Sequence, residues 1–372
     1  MIDQDISAEL AKRVQQAYNQ NHPVSITGSG SKVFLGQGEA APEAIRVDLT
    51  SHSGILDYEP AELVLTARAG TPLAEIERVL SAQGQMLPFE PPQFQGQAGR
   101  TGTLGGAVAA GLSGPARPWQ GAVRDAVLGV RMINGQGQIL KFGGQVMKNV
   151  AGYDVSRLMV GAFGTLGVLL DISVRVVPMP RAQKTQIITT HAGQALAWFA
   201  EWNQTALPIT GATFADGQLR VRLGGAESAV HKAVLRIGGD TLTETDATRY
   251  WQDLRDHRLD FFQPDDTPVE TDLWRAAVPL TTPVAALPSA RQLIDWGGQQ
   301  RWLHLTSDQA TEFRTMVPQL TGHATLFRPA KSKPAETERF QPLPPPLLAL
   351  HQRIKKAMDP KGIFNAGRLF PE

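Results

Sequence analysis

The chain has no cysteine among its 372 residues, and this absence excludes several kinds of site. Without thiols it forms no disulfide, and its own side chains hold no iron–sulfur cluster through thiolates. No run of about 18 apolar residues occurs, so no segment is predicted to span a bilayer. The acidic start, Met1–Asp5, lacks the basic-then-apolar order of a signal peptide. We therefore expect a cytoplasmic protein that reaches a membrane only through partners.

The chain also has little net charge. Its 36 basic and 35 acidic residues leave a formal charge of +1, which gives no general attraction to nucleic acid or to anionic lipid. Apolar residues make up 42% of the sequence, as in ordinary globular proteins. A chain of this length can bury the cores of two domains.

Hydrophobic periodicity predicts the elements of the first half of the chain. They are a helix over residues 7–20 and strands over 24–27, 45–49, 55–58, 62–68 and 166–176. Thr71 and Pro72 form the pattern of a helix N-cap followed by proline in the first turn. Asn134–Gly137 is typical of a tight hairpin between two strands.

The composition of the sequence changes after Pro180. Six of the seven tryptophans lie beyond it, and dense glycine motifs become rare. We place domain boundaries there and before the tail, giving segments over 1–180, 181–340 and 341–372. The tryptophans of the second segment are compatible with an interface or with a core.

Three glycine-rich or polar segments are candidates for binding a ligand. Gly28–Lys32 follows a strand, so its amides and serine hydroxyls suit a pyrophosphate, although a tight turn explains it equally well. The lean helix after Gly102 suits either close packing or contact with a ligand. Lys148–Asp154 gathers polar side chains around a glycine, and its alternative is a loop in which Asp154 caps the next helix. Neither a Walker A loop nor a Rossmann fingerprint is present.

Several motifs together resemble those of one family. They are Gly84–Pro92, Gly111–Trp119, Lys148–Asp154, Leu293–Gly298, Arg301–Leu303 and Gly362–Arg368. The chain resembles the FAD-binding E subunits of bacterial glycolate oxidase (dehydrogenase) complexes, within the vanillyl-alcohol-oxidase (PCMH-type) superfamily. This resemblance implies an α+β fold. A two-lobed PCMH-type FAD-binding domain would span 1–180, a shortened α+β cap 181–340, and a C-terminal segment over 341–372 would complete the FAD site.

The resemblance also implies which residues hold FAD. Gly28–Lys32 would bind the pyrophosphate, a second contact would start at Gly102, Gly161–Val168 would lie along the cofactor, and Asn365 would reach the flavin ring region. The cofactor-binding residues expected in this way are Gly28, Ser29, Gly30, Ser31, Lys32, Gly102, Thr103, Gly105, Gly106, Ser113, Gly114, Lys148, Asn149, Gly152, Tyr153, Gly161, Gly164, Thr165, Val168 and Asn365.

The sequence departs from the catalytic members of the superfamily. The stretch Ser31–Gly36 lacks the histidine to which many relatives attach flavin, so noncovalent FAD is expected. Phe163 stands where catalytic D-2-hydroxyacid dehydrogenases carry a glutamate, and no two of the eight histidines are adjacent or two apart, so their His-x-His metal-and-base cluster is absent. No metal site is expected.

These departures, together with the resemblance, imply an FAD-dependent 2-hydroxyacid oxidoreductase that works within a complex. A sister FAD-binding subunit would oxidise glycolate to glyoxylate and an iron–sulfur subunit would accept electrons. This chain would act as a flavin relay or assembly partner, at the inner membrane only through the complex. The alternatives are a stand-alone 2-hydroxyacid dehydrogenase and a structural subunit whose flavin site has decayed.

Four residues of the second half are candidates for catalysis. His304 and His323 are candidate proton-abstracting bases. Arg301 and Arg328 are candidate ligands of a substrate carboxylate. For each of them a structural or interface contact is the alternative.

Overall fold

The computed structural model describes residues 5–37, 41–96, 99–144, 153–263, 270–330, 333 and 338–370. Its helices are α1 (Ser7–Gln20), α2 (Leu73–Ser81), α3 (Leu104–Ala110), α4 (Arg117–Gln120), α5 (Val123–Ala126), α6 (Val155–Leu158), α7 (Ala192–Trp202), α8 (Glu227–Ile237), α9 (Glu244–Arg255), α10 (Ser307–Gln319) and α11 (Pro345–Met358). Its strands are β1 (Val24–Thr27), β2 (Ile45–Asp48), β3 (Ile55–Glu59), β4 (Val64–Arg68), β5 (Gln85–Met86), β6 (Val127–Ile133), β7 (Ile139–Gly143), β8 (Val168–Arg175), β9 (Val177–Pro178), β10 (Ala182–Thr189), β11 (Ile209–Ala215), β12 (Gln218–Gly225), β13 (Asp240–Thr241), β14 (Asp272–Ala277), β15 (Gln292–Asp295), β16 (Gln300–Leu305) and β17 (His323–Arg328).

The first lobe is a parallel pair of strands, β1 and β2, covered by α1. The apolar spacing predicted this helix over the residues where it is found, and its buried face packs on the strands. The C-terminal segment joins the same lobe, because Val24 N donates to Ile363 O at 2.7 Å and Asn365 N donates to Val24 O at 3.0 Å. The two ends of the chain therefore share one core.

The second lobe is an antiparallel sheet in the order β3-β4-β8-β6-β7. The long alternating stretch predicted as a strand is β8, at the centre of this sheet. The predicted hairpin joins β6 to β7, and Asn134 Oδ1 accepts the amides of Gln136 and Gln138, both at 3.0 Å. A Cβ on Gly135 would lie 2.6 Å from Asp359 Oδ1, so glycine there lets the C-terminal segment approach the hairpin.

The predicted cap of α2 is wrong. The helix starts at Leu73, Pro72 occupies the N-cap position, and no side chain caps the helix. Thr71 is fully buried, and its Oγ1 donates to Gly54 O at 3.1 Å and accepts from Gly54 N at 3.0 Å. A long-range contact thus satisfies the hydroxyl that the local pattern assigned to the helix end.

A larger antiparallel sheet follows, in the order β13-β10-β12-β11-β15-β16-β14-β17. Helices α7 and α8 contribute to one of its apolar clusters and α10 to another. The tryptophans of this region serve mainly as core: the buried ones are Trp202, Trp251, Trp274, Trp296 and Trp302. Their burial favours the core interpretation of the tryptophan-rich segment over the interface.

The large sheet is fastened to the first half of the chain by buried polar contacts. Arg222 and Glu90 form an ion pair at 2.8 Å, and Trp296 Nε1 donates to Gly114 O at 3.0 Å. A mixed aromatic cluster, including Phe94 from the first half and Phe327 from the large sheet, fills the junction. Among the helices that the structure describes, none is long and apolar enough to cross a membrane.

Candidate cofactor site

A cleft of about 650 Å³ opens beside β1 and the start of α3, and a smaller cavity of about 80 Å³ adjoins it. The two share the wall formed by Ile26–Gly28, Thr103, Phe163 and Asn365. The first lobe, α3 and the C-terminal segment all contribute to this wall. We refer to both cavities together as the cofactor cleft.

The loop after β1 forms one side of the cofactor cleft. Gly30 has φ of +74°, a left-handed conformation that favours glycine. Within the described residues, the amides of Ser29, Gly30 and Ser31 have no backbone acceptor, and all three residues line the cleft. Successive amides without acceptors form a concave site for an anion.

The start of α3 lies directly against this loop. Thr103 is the N-cap of α3, and its Oγ1 accepts from Gly106 N at 3.1 Å. A Cβ on Gly28 would lie 2.9 Å from that same Oγ1, and one on Gly102 would lie 2.9 Å from Lys32 Nζ. Glycine at these two positions therefore brings loop and helix together.

The C-terminal segment closes the cleft through the side chain of Asn365. Its Oδ1 accepts from Ile26 N at 2.9 Å, and its Nδ2 donates to Phe163 O at 2.7 Å. Gly164, with φ of +73°, is required beside it, because a Cβ there would lie 2.6 Å from Asn365 Nδ2. The amide of Asn365 thus joins β1 to the 163–164 backbone within the wall.

The cleft is strongly cationic. Among the described residues that line it, the charged side chains are Lys32, Arg339 and Arg368, and none is a carboxylate. Arg339 donates from Nη1 to Phe34 O at 3.3 Å, while its buried Nε has no partner among the residues that the structure describes. Arg368 Nη2 donates to Leu35 O at 2.6 Å. Three cationic side chains beside amides that lack a backbone acceptor suit a ligand that carries two phosphates.

The ammonium group of Lys32, which lines the cleft, has a lowered pKa. Burial lowers the pKa of its ammonium group to about 8, and the Asp256 carboxylate opposes this change only in part. Its Nζ lies 3.4 Å from Ser31 Oγ and 5.7 Å from the centre of the Phe94 ring. An anion bound beside Lys32 would raise this pKa and stabilise the ammonium form.

The structure does not bring all expected cofactor residues to the cleft. Gly161 and Thr165 line a different cavity, and Val168 is buried in the core of the first lobe. Gly105 does line the smaller cavity, but a Cβ added to it would lie 2.7 Å from Ala69 Cβ, so this glycine also serves packing against the end of β4. The loop that contains Gly161 and Gly164 therefore has two sides, and the side of Gly164 faces the cofactor cleft.

Others of the expected residues have structural contacts. Ser113 Oγ accepts from Val123 N at 3.1 Å, and Gly114 is held against Trp296 as described above. Tyr153 is 94% exposed. Asp154 caps α6 by accepting from Arg157 N at 3.1 Å, which supports the alternative interpretation of that segment. Lys148, Asn149 and Gly152 lie outside the described residues.

The four candidate catalytic residues are bonded elsewhere or exposed. His304 is buried, with Nε2 at 2.6 Å from Phe261 O, and His323 is exposed at the start of β17. Arg301 is fully buried and donates from Nη2 to Thr282 O at 3.0 Å. Arg328 comes nearest to the cleft, with its guanidinium 5.1 Å from the Phe34 ring. None of the four lines the cofactor cleft as the structure describes it.

Sequence reasoning missed two cations of the cleft and one aromatic. Arg368 lies in the C-terminal motif that carried the resemblance, which is a signal for its importance, whereas Arg339 lies in a polar segment with no such signal. Phe163 was noted only as a departure, yet it lines both cavities with φ of +51° and packs edge-on against Phe340 at 5.6 Å.

Comparison with known proteins agrees with this geometry. Residues 6–143 match the model of the FAD binding domain. The glycolate oxidase subunit GlcE of Escherichia coli (strain K12) is 45% identical over 368 residues, which are 99% of this chain and 98% of that protein. The chain belongs to the GlcE family of glycolate oxidase subunits. The resemblance drawn from the sequence motifs is thus confirmed, and so is FAD as the cofactor.

Other relatives of this GlcE-family chain match over less of their length. Glycolate oxidase subunit GlcD of Bacillus subtilis (strain 168) is 32% identical over 44% of this chain and 34% of that protein. D-lactate dehydrogenase of Anaerostipes hadrus is 28% identical over 49% of this chain and 37% of that protein. A solved structure of alkyldihydroxyacetonephosphate synthase superposes with a TM-score of 0.68 at 15% identity, covering 96% of this chain and 74% of that one. This likeness confirms the α+β fold class.

Proposed function

We propose that the chain is the FAD-holding E subunit of a multi-subunit glycolate oxidase, in which a sister flavin subunit oxidises glycolate to glyoxylate. An iron–sulfur subunit of the same assembly would accept the electrons. In this proposal the present chain is a flavin relay and assembly partner. Its relatives carry the names of glycolate oxidase subunits and of D-lactate dehydrogenases, which supports a role in the oxidation of 2-hydroxy acids.

The observation that carries the proposal is the chemistry of the cofactor cleft. Free amides of the 29–31 loop would bind the pyrophosphate, and Lys32, Arg339 and Arg368 would neutralise it. FAD bound there supplies the capacity to accept and donate electrons. The described part of the lining contains no histidine and the chain contains no cysteine, which supports noncovalent binding.

The same lining supports the division of labour between subunits. Oxidation of a hydroxy acid requires a group that takes the hydroxyl proton, commonly histidine or a carboxylate. Neither side chain occurs among the described residues of the cleft, and His304 is bonded to Phe261 O instead. The chain's own residues thus bind and orient a cofactor without an evident base for the substrate.

One observation favours a second candidate function, direct oxidation of glycolate by this subunit. Lys32 lines the cleft with a pKa of about 8, which is within the range of a general base. Its position beside the 29–31 loop, where the pyrophosphate would bind, places it with the phosphates in our proposal.

The test is an absorbance spectrum of the chain purified without partners, before and after anaerobic addition of glycolate. We expect flavin bands that stay oxidised alone and are bleached once the sister subunit is added. Bleaching of the isolated chain would make it a dehydrogenase in its own right. A colourless protein that stays colourless after co-expression with its sister subunits would support the structural alternative.

Gly30→Leu tests the position of the pyrophosphate. Gly30 has φ of +74° and lines the cleft, so a leucine side chain there would fill the anion site. Gly84→Leu is the matched control, because Gly84 has φ of +64° and is exposed with no atom near its added Cβ. We expect loss of FAD only in Gly30→Leu, measured as flavin per chain. Equal flavin content in the two variants would contradict the loop assignment.

A further inference from the structure

Helix α11 has an apolar stripe that the described part of the chain does not cover. None of its fourteen residues is fully buried. Ile354 and Met358 pack against the core of the second lobe. Leu347 and Leu350 lie on the same stripe, seven and four residues before Ile354, and each is 41% exposed.

The inner part of this stripe borders a groove of about 510 Å³. Its walls are α11, the backbone of residues 157–166 and the C-terminal residues 367–370, and we call it the C-terminal groove. Apolar side chains such as Leu158, Ile354 and Phe370 form much of its surface. Groove and exposed stripe together make a continuous apolar surface of the kind that marks an interaction site.

Among the described residues that line the C-terminal groove, the exposed charged side chains are all cationic. Arg124, Arg157 and Lys356 line it with exposed side chains. Arg157 pairs with Asp154 at 3.4 Å, whereas Arg124 and Lys356 form no ion pair with the described residues. The one carboxylate among the lining residues that the structure describes, that of Asp359, is buried and bound to Lys355 Nζ at 2.7 Å. A matching occupant is therefore apolar in its centre and acidic at its edge.

The C-terminal groove and the cofactor cleft lie on opposite sides of one loop. Phe163 and Gly164 face the cleft, whereas Ala162 and Thr165 face the groove. Lys355 Nζ donates to Thr165 O at 3.0 Å and so ties α11 to this loop. A protein seated in the groove would lie directly behind this loop, and Arg368 lines both the groove and the cleft.

We propose that the C-terminal groove and the exposed stripe of α11 dock the sister flavin subunit, which inserts an apolar segment bordered by acidic side chains. This inference rests on the proposed function, because a relay requires the two flavins of the assembly to lie close together. The position of the groove behind the cleft satisfies that requirement. The cationic rim selects the acidic partner and sets its orientation.

Two pairs of variants test the docking surface. Leu350→Glu and Lys356→Glu change the stripe and the rim. Leu235→Glu and Lys232→Glu are their controls on α8, where Leu235 is 71% exposed and Lys232 is exposed. The full chain is co-expressed with its sister flavin and iron–sulfur subunits, and the dissociation constant of the chain for the purified sister flavin subunit is measured.

We expect each groove variant to weaken binding of the sister flavin subunit at least tenfold, with unchanged melting temperature and flavin content of the isolated chain. The α8 variants should bind as the wild type does. Wild-type affinity in both groove variants would overturn the docking surface and leave the proposed function standing. Loss of only the iron–sulfur subunit, or of self-association of this chain, would also overturn it, in favour of that other occupant. Failure of the wild-type chain to bind any sister flavin subunit would refute the proposed function together with the inference.

Discussion

Replacement of Asn365 offers a quantitative test of how the C-terminal segment builds the cofactor cleft. The side chain makes two hydrogen bonds, to Ile26 N at 2.9 Å and to Phe163 O at 2.7 Å, and its φ of +40° is left-handed. Asn365→Gly removes both bonds but keeps the backbone conformation accessible. At about 1 kcal/mol for each bond, we expect a loss of about 2 kcal/mol in the free energy of unfolding.

Asn365→Ala removes the same bonds and adds the cost of a left-handed alanine, about 1 kcal/mol. We therefore expect a total loss of about 3 kcal/mol for this variant. Asn365→Asp keeps an acceptor for Ile26 N but places a carboxylate oxygen against Phe163 O. Its carboxylate would also repel the phosphates of FAD and compete for the cations of the cleft, so this variant should lose the most FAD affinity of the three.

The assay is urea unfolding of the FAD-free chain followed by circular dichroism, with FAD titration by flavin fluorescence. The order of stability should be wild type, then Asn365→Gly, then Asn365→Ala. A glycine variant within about 0.5 kcal/mol of wild type, with unchanged FAD affinity, would refute the assigned hydrogen bonds. Equal stability of the glycine and alanine variants would refute the strain assigned to the backbone.

Three further predictions concern buried charges. Lys355→Met leaves the buried Asp359 carboxylate without its cation, so the free energy of unfolding should fall by about 3 kcal/mol. Adding Asp359→Asn to this variant should recover part of the loss. If the effects of the two substitutions on unfolding simply add, the two side chains do not act as an ion pair. Lys32 has a pKa of about 8 that a bound pyrophosphate would raise, so FAD binding at pH 9 should take up a proton and be weaker than at pH 7. Calorimetry in two buffers with different ionisation enthalpies would detect this proton uptake. If the uptake persists in Lys32→Met, Lys32 is not the group that binds the proton. Burial raises the pKa of Asp295 from 3.8 to about 7, so between these pH values the folded chain holds a proton that the unfolded chain has lost, and the free energy of unfolding falls as pH rises from about 4 to 7. Asp295→Asn should remove this pH dependence, as measured by urea unfolding at several pH values. An unchanged pH dependence in the variant would contradict the raised pKa of Asp295.

Local patterns sufficed for several elements of the first half of the chain. The spacing of apolar residues predicted α1 with its observed bounds, and alternation predicted β8 at nearly its observed length. The loop over 28–32 was recognised because a strand running into glycine and serine is a local signal. Thr71 was wrongly predicted as the N-cap of α2, because its hydroxyl binds Gly54, a contact that no local sequence pattern indicates.

The same limit explains which expected cofactor residues face the cleft. A glycine-rich loop has two sides, and the sequence of residues 161–167 does not say which side meets the cofactor cleft. The structure turns Gly164 toward it and Gly161 toward the C-terminal groove. Gly105 is glycine because Ala69 is close, and Gly114 because Glu90 is close.

The sequence by itself determined the absence of thiols and of long apolar runs and the family resemblance, and it predicted several elements and an anion-binding loop over 28–32. Only the tertiary structure decided that Asn365 bonds Ile26, 339 residues away in the chain. It likewise decided that Arg339 and Arg368 join Lys32 around a cleft whose described lining residues include no carboxylate, and that α11 leaves leucines exposed. The physical reason is that periodicity and turn signals act over a few residues. Charge complementarity, burial and side-chain hydrogen bonds depend instead on which distant segments approach each other.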